Sequence, residues 1–84
     1  MTEGNAAAYV LVNAEMGKVD VIIKKIKELA GVISVASTAG EFDLIIRVEV
    51  QSLEALHDLV TTRMHKIEGI VRTKTHVIAK EETK

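Results

Sequence analysis

The segment Ser37-Thr38-Ala39-Gly40-Glu41-Phe42-Asp43-Leu44-Ile45-Ile46 decides the fold of this chain of 84 residues. It reads as the end of one strand, a tight turn at Gly40, and an acidic residue, Asp43, that opens a wholly apolar strand. A glycine turn between two apolar segments is typical of a β-hairpin. The segment therefore places two antiparallel strands side by side in the middle of the chain.

Working outward from this hairpin, the hydrophobic pattern predicts two further strands and two helices. The strands are short β-branched runs, and the helices show apolar residues at the helical period. Ser52 is a good N-cap for the second helix. The predicted elements, in chain order, are strand 7–14, helix 18–30, strand 32–38, strand 43–50, helix 52–67 and strand 71–79. The predicted apolar stripe of the second helix is Leu53, Leu56, Val60, Met64 and Ile67.

The order βαββαβ predicts an α+β fold of the ferredoxin-like type. The two halves repeat each other, since 29–33 resembles 67–71 around Gly31 and Gly69, and Gly31 is the expected glycine after the first helix. Right-handed crossovers then place both helices on one face of an antiparallel four-stranded sheet, with the first and third strands in its centre. We expect one domain over residues 1–84, with a core at about 8–79 and a frayed tail at 80–84.

Composition excludes several functional classes. The net charge is −1, with no electrostatic footprint for nucleic acid. The chain has no Cys, so neither disulfides nor Cys-ligated metals are available. Residues 1–5 lack the basic region of a signal peptide, and no apolar run reaches the roughly 18 residues of a membrane span. A cytoplasmic protein without membrane or direct nucleic-acid contact is therefore expected.

One face of the predicted sheet is apolar yet uncovered. Tyr9 and Leu11 on the first strand and Ile45 on the third lie opposite the face that the helices cover. An uncovered apolar face marks an interaction surface, and a domain this small buries only about 60% of its unfolded surface alone. We therefore expect two copies to pack sheet against sheet. Val21, an apolar residue on the polar side of the first helix, indicates a further contact between dimers.

The residues that could carry chemistry predict neither catalysis nor a metal site. His57 and His65 are eight residues apart on one helix, too far to share a metal ion. The sequence contains no nucleophile elbow and no phosphate-binding glycine pattern. An RNA-binding domain of this topology would display stacking aromatic residues, whereas this chain has one Tyr and one Phe. We expect no enzyme activity, no cofactor and no metal.

The hairpin loop is the best candidate for ligand binding. Gly40 can adopt a positive φ and uncover backbone N–H groups, which in a turn can bind a carboxylate. Glu41 or Asp43 can accept a hydrogen bond from an α-ammonium group, and Phe42 can shield the site from water. A plain hairpin in which Phe42 fills a gap explains the same residues, so both interpretations stay open here.

The joint spacing of these motifs resembles the ligand-sensing domain of the Lrp/AsnC family of amino-acid-responsive regulators. The shared pattern is Gly–x–aromatic–Asp before an apolar strand, then a helix, then Gly–apolar–x–x–Thr–x–Thr. Phe42 stands where Tyr is usual, and Ile70 where Val is usual. The resemblance covers about 8–79, and no helix-turn-helix pattern accompanies it, so a stand-alone module is expected. The matching residues are Gly40, Phe42, Asp43, Gly69, Ile70, Thr73 and Thr75.

The resemblance implies a domain of the dimeric α+β barrel type that binds an amino-acid effector between dimers. The expected partners are that small-molecule effector, a second copy of the chain, higher oligomers built from dimers, and full-length regulators of the family. The residues implied to contact the effector are Gly40, Glu41, Phe42 and Asp43, with Thr38, Thr73 and Thr75 as further candidates.

Three further interpretations stay open on the sequence. A small enzyme of the same barrel type needs a buried polar residue facing a cleft, for which Asn13 and His76 are the candidates. A solvent-facing His76 favours a binding module instead. The second interpretation is an oligomerisation domain without a ligand. The third is an ACT-like amino-acid-binding domain, which usually carries a Gly-rich turn after its first strand.

Overall fold

The computed structural model describes residues 5–84. The prediction that no signal peptide is present concerns residues 1–5, of which 1–4 lie outside the described part. The element order is βαββαβ, as predicted, with ends that differ from the predicted ones by up to three residues. The elements are β1 (Ala6–Ala14), α1 (Val19–Lys27), β2 (Val32–Ser37), β3 (Leu44–Val50), α2 (Leu53–Asp58) continued by a π-helical segment (Leu59–Met64), and β4 (Ile70–Val77).

The four strands form one antiparallel sheet in the order β2-β3-β1-β4. The predicted central pair, β3 and β1, is confirmed. Val10 lies opposite Ile46 on one side and Thr75 on the other. Residues directly opposite each other in an antiparallel pair share a face of the sheet, so this register decides which side chains meet the helices.

The core lies between the helices and one face of the sheet, which confirms the ferredoxin-like fold. Alternate residues of β1 and β3 enter it, because successive side chains of a strand point to opposite faces. The opposite face of the sheet, called the outer face below, has no helix over it in the described part of the chain. The core residues with no solvent exposure are Ala8, Val10, Val12, Ile22, Ile26, Leu44, Ile46, Val48 and Met64.

Helix α1 ends at Lys27, three residues before the predicted end. The N–H groups of Glu28 and Leu29 donate to carbonyls only three residues back, at 3.2 and 3.0 Å, and this tighter turn closes the helix. Gly31 therefore does not follow the helix directly, as the sequence indicated. It adopts φ +96° at the entry to β2, where its carbonyl accepts the N–H of Glu49 at 2.8 Å.

The second helix departs from the predicted α-helical period. Ser52 caps it as predicted, because its Oγ accepts the N–H of Ala55 at 3.0 Å. The chain then widens into the π-helical segment, which ends at Met64 rather than at the predicted Ile67. A π-turn spaces its hydrogen bonds by five residues and so shifts which side chains face the core. Leu53, predicted to be buried, is 62% exposed at the first position of the helix, and Leu59, which was not in the predicted stripe, is buried at 3%.

Gly69 occupies the same place in the second half of the chain as Gly31 does in the first. It adopts φ +102°, and a Cβ there would lie 3.1 Å from both Ile22 Cδ1 and Lys18 Cβ. Its carbonyl accepts the N–H of Glu15 at 2.8 Å. Both the left-handed conformation and the close approach require glycine, so Gly69 fixes β4 against α1 and the end of β1.

Candidate functional site

The Thr38–Asp43 loop between β2 and β3 is held in place at both ends. The N–H of Thr38 donates to the Asp43 carbonyl at 3.0 Å, and its Oγ1 donates to the Phe42 carbonyl at 2.6 Å. The N–H of Asp43 donates across to the carbonyl of Val12 in β1 at 2.9 Å. These bonds satisfy the polar groups at the base of the loop, while Gly40 and Glu41 at its tip are exposed.

The carboxylate of Asp43 connects the loop to β1. The ladder between β1 and β3 ends at the pair Val12–Leu44, and the register of β1 with β4 shifts between Asn13 and Ala14. Asp43 Oδ2 accepts the N–H of Ala14 at 2.7 Å, just beyond the end of that ladder. The side chain thus replaces a backbone acceptor, and one of its oxygens is occupied inside the protomer.

Gly40 does not adopt the positive φ that the sequence indicated. Among the described residues positive φ occurs at Gly17, Gly31 and Gly69. A Cβ placed on Gly40 would meet no atom within 4 Å. The backbone conformation at Gly40 therefore gives no support to a left-handed turn that gathers N–H groups for a carboxylate.

Two residues that the sequence did not connect with the loop contact it. The side-chain amide of Asn13 donates to the Glu41 carbonyl at 2.8 Å. The guanidinium carbon of Arg72 lies 5.5 Å from the centroid of the Phe42 ring. Asn13 and Arg72 are register partners in β1 and β4 and lie on the outer face. The predicted strand order makes β1 and β4 neighbours, but it does not give the register that pairs these two residues.

Thr73 and Thr75 lie on the helix side of the sheet, away from the Phe42–Arg72 contact. They pair with the buried residues Val12 and Val10, respectively, and so share the inner face with them. Thr73 Oγ1 forms a 2.9 Å hydrogen bond with His65 Nε2. Within one protomer the structure therefore does not bring these two threonines together with the ring of Phe42.

Thr75 borders a groove of about 230 Å³ between α2 and β4. The groove is mainly apolar and is flanked by the exposed side chains of Leu53 and Val77. A second open groove of about 340 Å³, which includes Lys18 and Val21, lies beside α1. Neither groove includes a residue of the Thr38–Asp43 loop.

The residues predicted to form the dimer interface occupy the expected faces. Leu11 and Ile45 are register partners on the outer face and are half-buried, and Tyr9 beside them is 37% exposed. Val21 is 54% exposed on α1. The interface itself stays a prediction, while the placement of the four side chains is consistent with it.

Within the predicted tail at 80–84, Glu81 contacts the outer face of the sheet. Glu81 Oε2 accepts from the Tyr9 hydroxyl at 2.8 Å, and the Glu81 carboxylate also pairs with Arg47. Arg47 donates in addition to Glu49 at 2.8 Å. The hydrogen bond from Arg47, followed by that from Tyr9, lowers the pKa of Glu81, and the same cluster raises the pKa of Arg47.

The two residues considered for an enzyme, Asn13 and His76, do not lie in a cleft between the sheet and the helices. His76 is exposed on the outer face, opposite Tyr9. Asn13 is engaged with the Glu41 carbonyl. Over residues 5–84, no helix has the length and hydropathy needed to cross a bilayer.

The sequence matches a family model described as the Lrp/AsnC ligand binding domain over residues 7–84. It is 32% identical over 71 residues to an uncharacterized HTH-type transcriptional regulator of Pyrococcus furiosus, an alignment that covers 84% of this chain and 48% of the relative. The chain spans about half the length of the curated relatives it matches.

The fold is similar to solved structures of two kinds: chains of similar length and longer chains of which it matches about half. The crystal structure of TTHA0845 from Thermus thermophilus superposes with a TM-score of 0.87 at 30% identity, covering 94% of this chain and 99% of that one. A Neisseria meningitidis transcriptional regulator solved as an L-Met complex superposes with a TM-score of 0.85 at 16% identity, covering 94% of this chain and 53% of that one. The second likeness concerns the fold alone.

Proposed function

Because the chain belongs to the Lrp/AsnC ligand-binding domain family, we propose that it is a regulatory module that binds an amino-acid effector and acts through its own assembly. Curated relatives are named HTH-type transcriptional regulators. Regulation of transcription would then run through full-length partners that supply DNA contacts, and this domain itself would not touch nucleic acid. A ligand that binds one assembly state more tightly shifts the equilibrium towards it.

The observation that carries this proposal is the ordered but exposed loop at Thr38–Asp43. Its base is fixed by hydrogen bonds to β1 and within the hairpin, so little conformational entropy remains to be lost on binding. Glu41 at its tip is exposed and the next residue, Phe42, is half-buried; their side chains are suitable contacts for an ammonium group and an apolar group, respectively.

A site completed by a second copy explains why the loop is not part of either groove described above. The loop lies at the ends of the strands, bonded to β1, and the two grooves lie along the helices. Thr73 and Thr75 lie on the opposite side of the sheet from the Phe42–Arg72 contact. If both sets contact one effector, they come from different protomers, which fits an effector bound between dimers.

The dimer proposed here packs outer face on outer face. Tyr9, Leu11 and Ile45 form an apolar patch that no described helix covers. Burial of such a patch is favourable at about 25 cal/mol per Å² of apolar area. Arg47 lies in the same face, and Glu49 and Glu81 already neutralise it, so its charge needs no new partner on dimerisation.

The exposed His76 supports a binding module over an enzyme. A catalytic histidine in a barrel of this type would face a cleft, whereas this one lies on the outer face. We therefore propose a non-enzymatic role. A cytoplasmic location is a further part of the proposal.

Thermal unfolding of the wild-type chain with each of the twenty L-amino acids tests the proposal. L-methionine is a sensible first probe, since a protein of the same fold was solved with it. A ligand present at 100 times its Kd stabilises the folded state by about 2.7 kcal/mol. Two variants locate the site: Phe42→Leu keeps an apolar side chain in the loop but removes the ring, and Leu53→Ser alters the α2–β4 groove.

The proposal expects a specific amino acid to raise the Tm of wild type and of Leu53→Ser, and to have a reduced effect on Phe42→Leu. Loss of the effect in Leu53→Ser alone would place the site in the α2–β4 groove. No effect of any amino acid on the wild-type chain would favour the oligomerisation domain without a ligand.

A further inference from the structure

Arg72 is a cation beside the Thr38–Asp43 loop, called the candidate effector loop below. Its guanidinium carbon lies 5.5 Å from the centroid of the Phe42 ring, and the residue is exposed. Within residues 5–84 the ion pairs involve Arg47, Arg63 and Lys80, and no carboxylate lies within 4 Å of Arg72. A cation that lies over an aromatic ring and has no anion among the described residues is available to a ligand.

The strand register holds Arg72 next to the loop. Arg72 lies opposite Asn13, whose side chain donates to the Glu41 carbonyl at 2.8 Å. Each member of the pair therefore contacts the loop: Asn13 binds the Glu41 carbonyl, and Arg72 contacts the Phe42 ring. The guanidinium is thus positioned by two separate links to the loop, through the sheet and through the ring.

A free amino acid needs an anion for its ammonium group and a donor for its carboxylate. The loop itself supplies acidic side chains, Glu41 and Asp43, and the conformation of Gly40 gives no support to a cradle of N–H groups. The loop alone is therefore matched to the ammonium end of a ligand and not to its carboxylate.

A guanidinium group can supply the missing donor for the carboxylate of the effector. Arg presents five N–H donors in a planar fork that matches a carboxylate bidentately. Contact with an aromatic ring uses the face of the guanidinium and leaves its N–H edges free. We propose that Arg72 binds the carboxylate of the effector, with Phe42 holding the guanidinium in place. This inference rests on the proposed function and names the chemical group that the site recognises.

Lys74 provides a matched control in the same strand. It lies on the same face as Arg72, two residues further along β4 and opposite Leu11. It is a second exposed cation of the outer face. Because this face is the proposed dimer interface, light scattering must first show that Lys74→Gln and Arg72→Gln keep the molar mass of the wild type. If Arg72 acted only through the general positive charge of this face, removing the charge of Lys74 would have a similar effect.

The experiment compares each amino acid that binds with its carboxamide, which keeps the ammonium group and side chain but has no carboxylate. Kd is measured by calorimetry for the wild type, Arg72→Gln, Arg72→Lys and Lys74→Gln. Wild type is expected to bind the acid about tenfold to a hundredfold more tightly than the amide, because a charge-assisted pair is lost. Arg72→Gln is expected to bind acid and amide about equally, and Lys74→Gln to discriminate like wild type.

A merely structural role of Arg72 predicts a different pattern. It would weaken acid and amide by the same factor and leave their ratio intact, and that result would overturn the inference while the proposed function stands. Arg72→Lys is expected to keep part of the preference for the acid, since it keeps the charge but not the fork. Failure of the wild-type chain to bind any of the twenty L-amino acids would overturn the proposed function and this inference with it.

Discussion

Asp43 Oδ2 accepts the backbone N–H of Ala14 at 2.7 Å and so joins the start of β3 to the end of β1. The same carboxylate belongs to the candidate effector loop. The observed structural task and the proposed binding task therefore fall on one side chain, which affects how variants at this position are interpreted.

Asp43→Ala is expected to lower the free energy of unfolding by about 1–3 kcal/mol, because it leaves the half-buried N–H of Ala14 without its acceptor. Asp43→Asn keeps an oxygen at that position and should cost clearly less. Urea unfolding at one fixed protomer concentration measures both. Asp43→Asn is accordingly the variant for binding studies, and equal stability of Asp43→Ala and wild type would contradict the bridging role.

The effects of Gly69→Ala and Gly40→Ala on the free energy of unfolding are expected to differ. At Gly69 an alanine must adopt φ +102° with its Cβ 3.1 Å from Ile22 Cδ1, so a loss of at least about 1–2 kcal/mol is expected. Gly40 has ordinary φ and open space around it, so Gly40→Ala should stay within about 0.5 kcal/mol of wild type. A large loss at Gly40 would show that its backbone conformation is special after all.

The pKa of Glu81 offers a test of the tail contact. Arg47 and then Tyr9 lower it below the ordinary 4.5. Because the folded pKa is below the unfolded one, the contact stabilises the fold fully above the unfolded pKa and is lost as the pH falls through the folded pKa. An NMR titration should show the pKa of Glu81 rising in Arg47→Gln, and less so in Tyr9→Phe. An unchanged pKa in Arg47→Gln would mean that the tail does not lie on the outer face in solution.

Ile45→Glu tests the proposed dimer. It places a carboxylate in the centre of the outer face, where desolvating an unpaired charge is costly, so light scattering should report monomers at concentrations where wild type is dimeric. Val21→Glu on α1 is the matched control and is expected to leave the dimer intact while reducing larger assemblies. Circular dichroism checks that both variants remain folded. If Ile45→Glu is still dimeric, the dimer interface does not lie on this face.

The fold could be predicted from the sequence because its signals are local. The hairpin around Gly40, the apolar alternation of β1 and β3, and the repeated glycines Gly31 and Gly69 each act over a few residues, and together they leave one topology. The second helix was predicted less well: its second half is π-helical, Leu53 at its start is exposed, and Leu59 is buried. An α-helical hydrophobic pattern does not indicate where a π-helical segment will form.

The candidate site could be predicted only in part, because its contacts join residues far apart in the chain. The loop residues were recognisable as a motif, but the contact of Arg72 with Phe42 and of Asn13 with Glu41 depends on the pairing of β1 with β4. The tail contact of Glu81 with Arg47 also joins distant segments. An acidic terminal run gives no sign of such a partner.

The most direct test of the central claim is the molar mass of the wild-type chain by size-exclusion chromatography with light scattering, with and without pools of the twenty L-amino acids. At least one pool, and one amino acid within it, is expected to change the mass by whole dimers. A constant mass in every pool, together with an unchanged Tm, would contradict an effector that acts through assembly.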